Sequence, residues 1–83
     1  MKVEDLKFGK LYWFPTRIKS CFNPHSKSVY LMQEKTVFIV LETISEEFAW
    51  KNLCTLKILA PNGEIWYTDL NQDDFLFMEQ CQP

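Results

Sequence analysis

The chain has 83 residues, 47% of them apolar and 24% charged, with a formal net charge of -2 at pH 7. Half of it would sit near the roughly 40 residues below which a core stops being self-sufficient, so a single domain spanning 1–83 is expected. The composition is that of an ordinary globular protein, far from that of a disordered chain, and the longest apolar run, the five residues Val37 to Leu41, falls far short of the about 18 needed to cross a bilayer.

Charge is distributed unevenly. The first 33 residues carry six cations against two acids, a net +4, while the remainder carries three against nine, a net -6. No acidic residue lies between Leu6 and Gln33. Two consequences are open: the halves attract each other within the fold, or the basic segment meets an anionic partner. Five cations spread over 28 residues make a thin patch, which favours the first. Three cysteines, Cys21, Cys54 and Cys81, are an odd number without a close pair and fit reduced thiols. The opening residues carry Lys2, Glu4 and Asp5 and lead into no apolar stretch, so no secretory signal is expected and a cytoplasmic location is the default.

In chain order, Leu11 to Phe14 reads as a short strand stopped by Pro15, which has no N–H for a ladder. Pro15 to Ser28, with Asn23-Pro24 and scattered serines, reads as a long exposed loop. Val29 to Met32 is an optional further strand, and Thr36 to Ile44, rich in β-branched and aromatic residues, is a central one. Its alternation is weak, as for a strand covered on both faces. Ser45 to Asn52 reads as a loop in preference to one helical turn.

The strongest local signal is Leu53 to Leu70, two strand-like runs around Ala60-Pro61-Asn62-Gly63. Proline presets the second position of a type I turn, and glycine takes the left-handed position of the bulge that follows. With Gly63 as bulge, Ile58 faces Trp66, Lys57 faces Tyr67 and Leu56 faces Thr68. One face then holds Cys54, Leu56, Ile58, Trp66, Thr68 and Leu70 and is the core. A slip by one residue would bury Lys57 and Asp69, a cost that fixes the register. Asn71 to Phe75 then reads as a single 3-10 turn burying one aromatic, and Leu76 to Glu79 as the last strand.

This order resembles an SH3-like barrel: first strand, long loop, central strand, second loop, tight hairpin, 3-10 turn, closing strand. In particular TVFIVLE followed by LKILAPNGEIWYTDLNQDDFLFMEQ, residues 36–80, resembles small SH3-like barrels common among bacteriophage genes. The resemblance implies an all-β fold, a small five- to six-stranded barrel, and a host-cytoplasmic location if the gene is a phage gene. It does not specify a function. The chain departs from signalling SH3 domains, whose acidic first loop is here the basic segment Arg17 to Lys27 and whose tryptophan pair is missing.

Chemistry on this frame is sparse. Cys21, His25, Cys54 and Cys81 are four candidate zinc ligands, but only Cys21 and His25 approach knuckle spacing, so neither metal nor cofactor is expected. Cys21 beside His25 is also the one candidate thiol and base, with no third group to orient it. The acid pairs Glu46-Glu47 and Asp73-Asp74 point to opposite sides of an extended chain, and the two glycines are isolated, so an enzyme is not expected. The expected function is a non-enzymatic interaction module that contacts a protein partner through surface aromatics and the long first loop. Tyr12, Phe22, Trp50 and Tyr67 are the expected contact residues. The alternative is nucleic-acid binding through Lys10, Arg17, Lys19 and Lys27 within residues 7–27. Self-association through an edge strand or the aromatic patch is the third reading.

Overall fold

The structure, a computed structural model, describes residues 3–47 and 53–81. A 3-10 turn, Val3–Asp5, leads into strands β1 (Leu11–Trp13), β2 (Lys19–Phe22), β3 (Val29–Met32), β4 (Phe38–Glu47), β5 (Leu53–Leu59) and β6 (Ile65–Leu70). Helix α1 (Gln72–Phe77) and strand β7 (Glu79–Gln80) complete the chain. All pairings are antiparallel, in one seven-stranded sheet of order β3-β2-β6-β5-β4-β1-β7. The fold is therefore mostly β, as expected, but with seven strands where five or six were expected, and β3 and β7 remain as edges. No helix among the described residues is long and apolar enough to cross a membrane.

The β5–β6 hairpin forms as its turn chemistry dictates. The Gly63 amide donates to the Ala60 carbonyl at 3.0 Å, the Ala60 amide to the Glu64 carbonyl at 2.9 Å, and Gly63 has φ +85°. Ile58 faces Trp66, Lys57 faces Tyr67 and Leu56 faces Thr68. All six side chains assigned to the core face are buried. They pack with Tyr12, Phe14, Cys21, Met32, Phe38, Val40, Phe75 and Met78. The buried Trp66 Nε1 has no hydrogen-bond partner among the described residues, and the ring packs against Tyr30 with centroids 5.3 Å apart.

The central strand is longer than expected and irregular. Register shifts between Val40 and Glu42 and between Thr43 and Ser45 each insert one residue, which explains the weak alternation of its sequence. Glu46 and Glu47 pair with Cys54 and Leu53, so the strand continues through residues expected to form a loop. Bulges bend a strand, and the bend lets the first half of β4 pair with β1 while its full length pairs with β5.

Two further expectations are corrected. Lys19–Phe22 lies inside the expected loop yet forms β2, because β3 on one side and β6 on the other satisfy its backbone and Cys21 is fully buried. The expected 3-10 turn after β6 is a six-residue α-helix. Its start is fixed from both directions: Asn71 Oδ1 accepts from the Asp74 amide at 2.8 Å, and the Asp74 carboxylate accepts from the Asn71 amide at 3.0 Å. This is a capping box with aspartate in place of the usual glutamate or glutamine.

Candidate functional site

Strand alternation divides Tyr12-Trp13-Phe14 between two faces. Tyr12 and Phe14 are buried, Phe14 stacks on Phe38 at 5.9 Å, and the Tyr12 hydroxyl accepts the Lys7 amide at 2.8 Å. Tyr12, expected at a contact surface, is thus a core residue, and its neighbour Trp13 is the ring turned outward. The Trp13 indole N–H donates to Glu79 Oε2 at 3.3 Å. Trp50 lies outside the described residues.

Phe22 and Tyr67 come together. Phe22 sits directly opposite Tyr67 across the β2–β6 pairing, and their rings meet edge to face with centroids 5.7 Å apart. The same row runs from Val29 on β3 through Phe22 and Tyr67 to Lys57 on β5. Residues opposite one another share a face, and Cys21 and Thr68 beside them are buried, so this row lies on the outer face. Val29 is 70% exposed, Leu31 58% and Ile65 44%. Next to the rings a shallow cleft of about 360 Å³ opens between the turn after β2 and the hairpin turn, lined by Pro24, His25, Lys57, Glu64, Ile65 and Tyr67.

The rim of this cleft is shaped by Asn23. Its Oδ1 accepts from the amides of His25 at 2.8 Å and Ser26 at 3.1 Å, while its backbone carbonyl accepts from Lys27 at 2.7 Å. Lys27 closes the turn with φ +57°. An asparagine that bonds its own following backbone holds a turn locally, and here its Nδ2 also donates to the Ile65 carbonyl at 3.5 Å, which ties the turn to β6.

The basic segment is used differently. Arg17 Nη1 and Lys19 Nζ each lie 2.8 Å from one oxygen of Asp74, whose side chain is only 5% exposed. The Arg17 guanidinium also stands 4.1 Å over the Phe77 ring. Burial alone would push the Asp74 carboxyl up; the Lys19 hydrogen bond and charge, the Asn71 amide and the Arg17 hydrogen bond outweigh it and hold Asp74 below the ordinary carboxylate range. Two of the four cations considered for phosphate contact are therefore engaged within the fold. Lys10 and Lys27 are exposed, but Lys10 precedes β1 and Lys27 follows β2, and three strands separate β1 from β2 in the sheet.

Cys21 is fully buried on the inner face, and burial pushes its thiol up against the lowering effects of Thr68 and Lys19. His25 is exposed on the turn, so the one candidate thiol and base are not a working pair. Cys54 is also buried, and Cys81 is half-buried with its thiol pushed up by burial and by Glu79.

Val29 and Leu31 were not singled out by sequence, whereas the hairpin register already turns Ile65 outward. Their signal was present in parity: once Cys21 and Thr68 are placed inward, the alternate residues of β2, β3 and β6 must face out. The chain matches no family model, no curated protein and no solved structure.

Proposed function

We propose that the chain is a non-enzymatic SH3-like module that binds a protein partner through the outer face of β2, β3 and β6, with Phe22 and Tyr67 at its centre. The barrel reading draws support from the bent, bulged β4, the β5–β6 hairpin and the helical turn before β7. One observation carries the binding reading. Strands β2 and β6 each deliver an aromatic ring to the same outward spot, beside a cleft and an exposed apolar edge. Contiguous apolar surface of this kind on a small domain marks a contact site more often than scattered single side chains do. The rings supply area at little entropic cost, and Lys57, His25 and Glu64 at the margin supply orientation.

The test is capture of a protein from the source cell on immobilised chain, followed by binding measurements with that purified protein. Binding that persists in high salt is expected, weakened roughly 30-fold or more by Tyr67→Ser or Phe22→Ser and unchanged by the double charge reversal Lys10→Glu, Lys27→Glu. Indifference to both ring substitutions sinks the reading. So does tight binding of an oligonucleotide that collapses by orders of magnitude as salt rises, which is the signature of phosphate contacts.

A further inference from the structure

The two edges of the sheet are not alike. β7 is two residues, Glu79–Gln80, both polar, and a short charged edge is how sheets discourage pairing. β3, Val29–Met32, is an edge without proline, charge or bulge. The direction of its backbone groups follows from the ladder. The Asn23 amide donates to the Ser28 carbonyl at 3.0 Å, so Asn23 with Ser28 is a hydrogen-bonded pair, and by alternation so are Cys21 with Tyr30 and Lys19 with Met32. The N–H and C=O groups of Val29 and Leu31 then point away from β2. The Leu31 carbonyl shows it directly, since it accepts the Gln33 side-chain amide at 3.4 Å. These two residues are also the ones whose side chains are most exposed on the strand, at 70% and 58%.

We propose that β3 pairs edge to edge with β3 of a second copy, about a two-fold axis passing between the two Tyr30 residues. Parity allows an axis at Val29, Tyr30 or Leu31, and the backbone selects Tyr30, the one of the three that pairs both outward residues within the strand. Outward-facing Val29 must meet an outward-facing residue, and with Tyr30 opposite Tyr30 of the partner subunit, Val29 meets the second copy's Leu31 and Leu31 its Val29. That places all four outward backbone groups of each strand in hydrogen bonds. Charge selects the antiparallel sense. The Lys27 end of one strand lies beside the Gln33-Glu34 end of the other, cation next to carboxylate, whereas parallel pairing would set Lys27 against Lys27. Lys27 and Lys35, with φ +57° and +63°, turn the chain out of the strand at both ends and limit the pairing to this short stretch. The result is a closed dimer and not a fibre, because an isologous contact satisfies itself. The inference goes beyond the outer-face reading, for it rests on backbone groups and not on the rings.

The test is the mass of the full chain by sedimentation and light scattering over a wide concentration range. Growth from one chain to two is expected, with Val29→Lys and Leu31→Lys held at one chain while circular dichroism stays unchanged. Register is read by Tyr30→Cys in a Cys21→Ala, Cys81→Ser background, because Cys21 lies directly opposite Tyr30 in the same chain and would otherwise compete for it: opposed residues of a non-hydrogen-bonded pair lie about 4.5 Å apart at Cα, within disulfide reach, so oxidation should give a covalent dimer. Val29→Cys, two positions out of register with its own mate, should not. Tyr30 packs on Trp66, so if Tyr30→Cys fails to fold the exposed Leu31→Lys variant still decides. A single-chain mass at every concentration overturns the proposal, as does a dimer indifferent to both lysine substitutions. A monomer whose partner binding is still lost in Tyr67→Ser overturns the pairing and leaves the outer-face reading standing; a lysine-sensitive dimer that captures no other protein does the reverse.

Discussion

The segment that follows β1 is fastened to the rest of the molecule at two ends that differ in kind. At one, Arg17 and Lys19 close on Asp74 in the first turn of helix α1, a contact of partly solvated cations with a buried carboxylate. At the other, Phe22 leans edge to face on Tyr67 at the surface. The first contact also serves the start of α1, since the same Asp74 carboxylate accepts from the Asn71 amide in the capping box. The second holds little that the ladder between β2 and β6 does not already hold. A buried charge is costly to orphan, while an exposed ring is cheap to remove. Stability should therefore concentrate at the Asp74 end and binding at the Phe22 end.

Asp74→Ala is the sharpest way to break that division. It leaves two cations without their counter-charge and removes one half of the capping box, the bond from the Asn71 amide, while the Asn71 side chain still caps the helix. A loss of about 2–4 kcal/mol is expected, below the full figure for a buried pair because the cations remain partly solvated. Urea unfolding followed by tryptophan fluorescence measures it. A loss as small as that of a surface substitution would show that the ion cluster is incidental to the fold.

The same carboxyl gives the next effect. Asp74 is held below its ordinary value, so the unfolded chain binds a proton that the folded one does not at moderately acidic pH. The sign follows: its contribution is complete above the unfolded value of about 3.9 and is lost as pH falls through the lower folded value. Wild type should lose stability on acidification in that window, and Asp74→Asn should lose less. Equal slopes for the two proteins in urea titrations below pH 5 would remove Asp74 from the acid transition.

Legibility in the sequence follows the same line between local and distant causes. The β5–β6 hairpin could be read to the residue because Pro61, Asn62 and Gly63 fix the turn and the turn fixes the register. β2 could not. Lys-Ser-Cys-Phe has no strand propensity of its own, and its strand state comes from β3 and β6 on either side. Nor could the helix, whose cap rests on an aspartate that reads equally well as a solvated turn until Arg17 and Lys19 arrive from more than 50 positions away. The charge asymmetry did carry the right message, that the two halves attract, without saying which residues meet. Tyr12, expected at the surface, faces inward for a simpler reason. Three consecutive aromatics define an alternation but not its phase, and the phase is set by Tyr12 meeting Phe38 and Gln80 across the sheet.

The smallest expected effect sharpens the comparison most. Phe22→Ser removes one ring of an edge-to-face pair, and because Phe22 is already 37% exposed the packing lost is partial. About 0.5–1 kcal/mol of stability should go, measured by the same urea unfolding. Partner binding, by contrast, should fall by the larger factor expected of a central contact residue. The two readouts must diverge for the division to hold. If Phe22→Ser instead destabilised the chain as much as Asp74→Ala, the ring pair would be a second structural fastening of the segment that follows β1. Its exposure would then be the outer margin of a core and not the centre of a contact surface, and the division between the two ends would disappear.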